Sequence, residues 1–298
     1  MNLGKLITEN LFGKPDQLTS PHRFYFKLFE LYIVYETINL AWEWGLYTLK
    51  ISDVVLPLGI ANLIDISFMH DNYLPIINAI AISILLVLSF FRKGSKWQYA
   101  VVFVLLHFQY VARFSIGEIP HSANLVGMAI FSFAVGLAAF QNELHRYRFI
   151  IGFTIFYIGL GYFSASISKL IGTGPNWIDG RHLWLWIAEK STDILSREGQ
   201  FNYNFVQITA LKSIPAATFM LFIGIATEFF GILIWFRKLR PYVALALIGM
   251  HFGVMMSMNI RFDSFMTELI ILGFPFPELY LKYGDQIKSY FSGREISI

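Results

Sequence analysis

The sequence predicts an all-α, polytopic bundle of transmembrane helices, and three observations support this prediction. Hydrophobic residues make up 56% of the chain and charged residues only 14%, whereas an average soluble domain is ~25% charged. Several apolar runs are about 17 to 25 residues long, which is enough to cross a ~30 Å hydrocarbon core. Lys and Arg gather in alternate loops, as they do on the cytoplasmic side of membrane proteins.

About eight spans follow one another along the chain. They cover residues 24–49, 74–91, 97–116, 122–140, 149–170, 214–236, 241–260 and 264–281. The last of them is short and contains Pro275 and Pro277. No repeat or separate soluble domain is apparent, so we expect a single membrane domain over residues 1–298.

The segments outside the spans are few. Residues 1–23 have no apolar core or cleavage site of a secretory signal, so we expect a cytoplasmic or interfacial N-terminus. Residues 171–213 form a long outward loop, in which the Leu-Trp-Leu-Trp-Ile run at 183–187 predicts an amphipathic segment at the outer interface. Residues 282–298 are expected to be a cytoplasmic tail.

The basic residues of the short loops predict the orientation. Loops two, four and six contain eight of them: Arg92, Lys93, Lys96, Arg146, Arg148, Arg237, Lys238 and Arg240. Loops one, three and seven contain three: Lys50, Arg113 and Arg261. Because short loops rich in Lys and Arg stay in the cytoplasm, both termini are predicted to be cytoplasmic (N-in/C-in).

Several kinds of chemistry find no support in the composition. The chain has no Cys, which excludes disulfides, thiolate metal ligands and a Cys nucleophile. The seven His residues show no metal-binding spacing, so no metal is expected. Phosphate-loop, dinucleotide-binding and nucleophile-elbow motifs are absent, and no basic, aromatic-rich patch predicts a nucleic-acid partner.

Ionisable residues inside apolar spans are costly and usually face the interior of the bundle. In the first span, Glu36, Asn39 and Glu43 lie at i, i+3 and i+7, which puts them on one helix face. They either hydrogen-bond to neighbouring helices or line a polar cavity or proton path. Glu228 in the sixth span and His251 in the seventh are also polar positions in apolar surroundings, although a lone His there is more often a packing residue.

The fifth span carries Tyr162, Ser166 and Lys169 at i, i+4 and i+7, again on one face. Lys169 lies near the outer end of the span, so its ammonium group has two options. It either extends along the helix to water or faces the interior, where desolvation favours the neutral amine, a competent general base.

The residues that follow Lys169 resemble a family motif. Tyr162-Phe-Ser-Ala-Ser-Ile-Ser-Lys169-Leu leads to Trp177-Ile-Asp-Gly180 and the apolar Leu183-Trp184. This stretch resembles the signature of the HTTM domain, the membrane part shared by vitamin K-dependent gamma-glutamyl carboxylases and many bacterial proteins. The resemblance covers nearly the whole chain in topology, and it is specific in this motif.

The resemblance implies a role for these residues. In the carboxylases the lysine of the motif is the base that deprotonates vitamin K hydroquinone, so Lys169 is the candidate base here. His121, His251 and Glu228 are further candidates for catalysis, and Tyr162, Ser166, Trp177 and Gly180 for binding a quinone, quinol or lipid. Two departures limit the comparison: Ser168 stands where the carboxylases have a second Lys, and the carboxylases' large extramembrane domain has no counterpart here.

Three functions are therefore considered. The first is a membrane enzyme of the bacterial inner membrane that modifies a quinol or a secreted peptide at the outer face. The second is a non-enzymatic subunit or assembly factor of a larger membrane complex, in which Lys169 pairs with a carboxylate for packing. The third is a transporter, which intramembrane carboxylates favour, although no mirrored pair of interrupted helices supports it.

Overall fold

The protein is all-helical in the computed structural model, which describes residues 2–50, 59–116 and 123–291. No strand occurs in these ranges, and this confirms the all-α prediction. The α-helices in chain order are α1 Leu3–Phe12, α2 Ser20–Lys50, α3 Leu74–Phe90, α4 Gln98–Ser115, α5 Ala123–Ala139, α6 Glu143–Thr173, α7 Gly180–Glu198, α8 Phe205–Lys212, α9 Ile214–Phe230, α10 Arg240–Met258, α11 Asp263–Gly273 and α12 Phe276–Phe291. Short 3₁₀ turns cover Gly59–Asn62, Ser67–Met69, Gly174–Ile178 and Gly231–Trp235.

Three helical stretches within the described ranges are long and apolar enough to cross a membrane. They are Glu143–Ile178, Ile214–Trp235 and Arg240–Met258, which correspond to the predicted fifth, sixth and seventh spans. Helices α3 and α5 are apolar as well, but each has only 17 residues. The count of about eight spans and the N-in/C-in orientation stay predictions.

The predicted eighth span is two helices rather than one. Helix α11 ends at Gly273, and α12 begins at Phe276, with Pro275 between them. Proline has no N–H to donate and its ring crowds the preceding turn, so the helix stops before it. With 11 residues, α11 is about 17 Å long, which is short of the ~30 Å hydrocarbon core.

The predicted outward loop is mostly helical, because α7 and α8 fill it. Asp179 caps the N-terminus of α7 by accepting a hydrogen bond from the Arg181 amide at 2.9 Å. The Arg181 guanidinium, and then its amide, lower the pKa of Asp179 to about 2. Gly199, at φ 71°, ends the helix in the left-handed conformation that glycine adopts without strain.

The described residues divide into two compact units. The N-terminal unit comprises Phe12–Thr154 and Pro275–Ile298, and the C-terminal unit comprises Met1–Leu11 and Ile155–Phe274. The prediction of a single domain is not tested by this division and stays a prediction.

In the N-terminal unit, α2 packs against α3, α4, α5 and α12. Its buried face includes Phe29, Ile33 and Trp44. The ring of Phe133 on α5 stacks on those of Phe29 and Tyr99 at centroid distances of 5.8 and 5.2 Å. Aromatic stacking thus joins α2, α4 and α5.

In the C-terminal unit, α7 and α8 cover α9. Leu183 and Ile187 of α7 are buried together with Ala210, Ala217 and Leu221. The neighbouring Trp184 and Leu185 are exposed, so the 183–187 segment has one buried and one exposed side. Helix α1 belongs to the same unit, since Arg237 donates from Nε to the carbonyl oxygen of Asn10 at 2.8 Å.

Candidate functional site

The lysine singled out by the sequence forms an ion pair within the C-terminal unit. Lys169 on α6 donates from Nζ to both carboxylate oxygens of Glu228 on α9, at 2.5 and 2.6 Å. Its side chain is 31% exposed and that of Glu228 only 13%. Lys169 is therefore directed at the neighbouring helix α9, and it remains partly exposed.

A second pair lies on the same helix face two turns earlier. The Tyr162 hydroxyl oxygen is 2.6 Å from Nε2 of His251 on α10. Both side chains are buried, at 6% and 5% exposure. The other ring nitrogen of His251, Nδ1, is buried and has no hydrogen-bond partner among the described residues. An imidazole that keeps one nitrogen available can accept or release a proton there.

Aromatic rings enclose this second pair. The His251 ring lies 4.8 Å from the ring of Phe262 and 5.5 Å from that of Phe265, and Phe265 also contacts Tyr162 at 5.9 Å. Asn259 ends α10 in the left-handed conformation, at φ 54°, and the chain turns there before α11 begins. The turn brings both phenylalanines to the His251 side chain, where they shield the Tyr162–His251 hydrogen bond from water.

The two pairs and a further carboxylate form one electrostatic cluster. Lys169 interacts electrostatically with His251, while Glu228 and Glu268 both interact with Tyr162. Glu268 lies on α11 and is fully buried. We call Tyr162, Lys169, Glu228, His251 and Glu268 the ionisable cluster. It combines two carboxyl groups, an amine, a phenol and an imidazole, which is a set of groups able to transfer protons.

A glycine allows Tyr162 to occupy its position. A Cβ added to Gly231 would lie 2.7 Å from the Cβ of Tyr162, closer than such atoms can approach. At Gly231 the helix tightens into the 3₁₀ turn that ends at Trp235. Trp235 then donates from Nε1 to the carbonyl oxygen of Phe156 at 3.0 Å, which fixes this turn against α6 below Tyr162.

Trp177, Ser166 and Gly180, the residues expected to bind a cofactor, each make a contact within the protein. The Trp177 ring lies 5.0 Å from Nζ of Lys169, which is within cation–π range. Ser166 is fully buried and donates to the carbonyl oxygen of Phe163 at 2.7 Å. Gly180 donates from its amide to Oγ1 of Thr218 at 2.9 Å, and an added Cβ would collide with the backbone of α9. The close approach of α7 and α9 thus requires a residue without a side chain at position 180.

The predicted polar face of α2 belongs to the N-terminal unit. Asn39 and Glu43 are exposed and Glu36 is half-buried. Asn39 and Glu43 therefore do not face the interior of the unit. The buried carboxylate of α2 is Glu30 instead, which lies six residues before Glu36. His121 lies outside the described residues.

Glu268 is the member of the ionisable cluster that the sequence interpretation did not single out. It follows Phe265-Met-Thr and precedes Leu-Ile-Ile-Leu, so it was detectable by the same signal as Glu228, a lone carboxylate in an apolar run. Among the described residues, no group of three or more His, Asp or Glu side chains is arranged to hold a metal ion. Comparison with protein-family models, with curated proteins and with solved structures finds no match.

Proposed function

We propose that this chain is an integral membrane protein of about eight spans, N-in/C-in, and that its ionisable cluster is a proton-transfer site acting on a lipid-soluble quinol or a peptide. The three long apolar helices support the membrane assignment, together with the eight basic residues of loops two, four and six against three in the others. In this topology Lys169 lies towards the outer face. The resemblance of the 162–184 segment to HTTM proteins favours a bacterial inner membrane as the location.

The observation that carries the proposal is the double contact between Lys169 and Glu228. While the pair is intact the amine carries its proton. Transfer of that proton to the Glu228 carboxylate leaves a neutral amine next to a neutral carboxylic acid. The amine then takes the proton of a quinol O–H, which yields an ammonium ion and a quinolate, while Glu228 keeps the first proton. Dissolved O2 takes two electrons from the quinolate and is reduced to H2O2 with the remaining quinol proton and one proton from the Lys169–Glu228 pair, and the quinolate becomes the quinone. Lys169 is thus the base and Glu228 its proton acceptor.

Tyr162 and His251 support the same chemistry. Their hydrogen bond lies in an aromatic enclosure, two helical turns from Lys169, and Glu228 interacts electrostatically with Tyr162. A phenol bonded to an imidazole can take over a proton and hand it on through the ring nitrogens. We therefore propose that Tyr162 gives its hydroxyl proton to Nε2 of His251 while it takes the proton of Glu228. His251 then holds the added proton as an imidazolium ion until the reverse transfer returns it to Glu228.

The alternative is a non-enzymatic subunit of a membrane complex. The same Lys169–Glu228 pair favours it, because a partly buried ion pair also holds two helices in register. The exposed Trp184 and Leu185 on α7 would then contact a partner protein.

Substitution of Lys169 by arginine distinguishes the enzyme from the non-enzymatic complex subunit. Arginine keeps the positive charge and the bidentate contact but cannot act as a base. Nanodiscs that contain the protein would be supplied with a reduced naphthoquinone, and oxygen uptake would be measured for wild type, Lys169→Arg and Lys169→Ala. The enzyme proposal expects uptake above that of protein-free nanodiscs for wild type, and at least a hundredfold loss of this excess in both variants.

Two results would count against the proposal. If wild type does not exceed protein-free nanodiscs, the quinol is rejected as substrate. If Lys169→Arg retains the wild-type rate, Lys169 is not the base, and the pair has the structural role of the alternative.

A further inference from the structure

The N-terminal unit contains a pocket that has no part in the proton-transfer proposal. It is a cavity of about 130 Å³ between α4 and residues 60–66, which comprise most of the first 3₁₀ turn and the residues after it. Ile60, Ile64 and Ile66 line one side, and Phe103, Val104, His107 and Phe108 of α4 line the other. Six of these seven side chains are pure hydrocarbon, and the imidazole of His107 is the exception.

The lining residues of the pocket differ in exposure. Ile66 is buried and packs with Met69, Val111 and Ala112. Ile60, Ile64 and Val104 are 39%, 49% and 50% exposed, so they form the mouth. A ligand that enters therefore places its tip against Ile66 and leaves the rest of its length outside.

Water is a poor occupant of such a space. A buried water needs two to four polar partners, and an engineered cavity of about 150 Å³ lined by Leu, Ile and Phe stays dry and takes up benzene instead. The present cavity is similar in size and lining, and His107 is the only lining residue that offers polar atoms. At about 130 Å³ it is also smaller than the ~300 Å³ of a typical pocket for a complete small molecule. Its size therefore suits the end of a longer apolar chain.

We propose that this pocket binds the end of a hydrocarbon chain that belongs to a membrane lipid. The occupant follows from the lining, the volume and the setting: a protein with three helical stretches apolar enough to cross a membrane meets hydrocarbon chains at its surface. Acyl chains and isoprenoid chains share this chemistry. The proposal does not depend on Lys169, because all the lining residues belong to the N-terminal unit.

Photocrosslinking tests the proposal with a matched pair of variants. Val104 and Val101 both lie on α4 and are about equally exposed, at 50% and 47%, but only Val104 lines the pocket. Val104→Phe fills the mouth, and Val101→Phe adds the same bulk one turn away. The purified full chain in nanodiscs would be irradiated with a phospholipid that carries a diazirine at the end of its acyl chain and, separately, with a diazirine-bearing isoprenoid alcohol.

Peptide mapping by mass spectrometry gives the readout. We expect labelling of residues 60–66 and 103–108 in wild type and Val101→Phe, and at least fivefold less in Val104→Phe. The probe that labels identifies the source of the chain as acyl or isoprenoid. Absence of label from these peptides with both probes overturns the proposal, as does equal labelling in Val104→Phe. If Val104→Phe is not monodisperse, Ile64→Phe takes its place with the same expectation.

Discussion

Each unit of this protein pairs a carboxylate with positive charge, Glu30 in one and the partly buried Glu228 in the other, but the two carboxylates are bonded very differently. Glu30 in the N-terminal unit is fully buried and accepts four hydrogen bonds, which come from Arg92 at 2.7 and 2.9 Å, Tyr99 at 2.7 Å and Lys27 at 3.1 Å. Glu228 in the C-terminal unit accepts two, both from Lys169. A carboxylate with four donors has no capacity left for a reaction.

The two units do not differ in whether they contain buried polar atoms without a hydrogen-bond partner. Among the described residues, Nδ1 of His251 is such an atom in the C-terminal unit, and Nε1 of Trp44 and both ring nitrogens of His70 are such atoms in the N-terminal unit. The number of hydrogen bonds that each carboxylate accepts is what separates Glu30 from Glu228. The comparison teaches that burial of charge alone does not identify a functional group.

The largest expected effect on stability comes from removing the charge of Glu30, the carboxylate that accepts four hydrogen bonds. Glu30→Gln should lower the free energy of unfolding by about 3 kcal/mol, because Arg92 and Lys27 would face a neutral amide in a buried position. Denaturant titration of the detergent-solubilised protein measures it. Glu43→Gln on the same helix is the control, and as an exposed position it should change stability by less than ~0.5 kcal/mol. A loss below ~1 kcal/mol for Glu30→Gln would show that its network is not structural.

The next effect separates stability from activity in the C-terminal unit. Lys169→Met should cost about 2 kcal/mol of unfolding free energy, since it leaves the Glu228 carboxylate partly buried with no cation. Adding Glu228→Leu should recover at least half of that loss, because an apolar pair can replace an ion pair. The double variant should remain inactive in the oxygen-uptake assay. Activity in the double variant would contradict the assignment of Lys169 as base.

A smaller effect tests how Tyr162 is positioned. Gly231→Ala places a methyl group against the Cβ of Tyr162 and should cost about 1 to 2 kcal/mol. Gly249→Ala on α10 meets no atom within 4 Å and should be neutral or slightly stabilising, because Ala is a better helix former than Gly. Unfolding midpoints compare the two variants. Equal midpoints would show that Gly231 does not constrain Tyr162.

The smallest change in stability gives the sharpest functional contrast. Tyr162→Phe and Tyr99→Phe each remove one buried hydroxyl that makes a hydrogen bond, at a cost of about 1 kcal/mol. Only Tyr162→Phe should lower quinol-dependent oxygen uptake, by roughly tenfold or more, because Tyr99 serves the saturated Glu30 network. A parallel loss of uptake in both variants would indicate general destabilisation and refute a proton-transfer role for Tyr162.

The sequence identified most members of the ionisable cluster, because an ionisable group in an apolar run is conspicuous. It could not pair them, since Lys169 and Glu228 are 59 residues apart and helical periodicity does not say which helices are neighbours. The same limit explains the polar face of α2. The spacing of Glu36, Asn39 and Glu43 establishes that they share a helix face, but the neighbours of α2 decide which way that face turns.

The helices of the predicted outward loop were harder to foresee. Helix α7 mixes tryptophans with charged residues, so its composition suggests an interfacial segment. Its buried positions, Leu183, Ile187 and Ile194, follow helical spacing, but that pattern becomes meaningful only with α9 beside it. Tertiary packing rather than local propensity therefore defines this part of the fold.

The 3₁₀ turn at Gly231–Trp235 has a geometric consequence for the helix that contains Glu228. A 3₁₀ helix advances about 120° and 2.0 Å per residue, against 100° and 1.5 Å in an α-helix. Over five residues this adds roughly 100° of rotation and 2.5 Å of length. Trp235 thereby reaches the Phe156 carbonyl from a side of the axis to which a continuous α-helix would not direct it. The turn therefore rotates the end of the apolar segment Ile214–Trp235 relative to its α-helical part. The side chains of the two parts face different neighbours as a result.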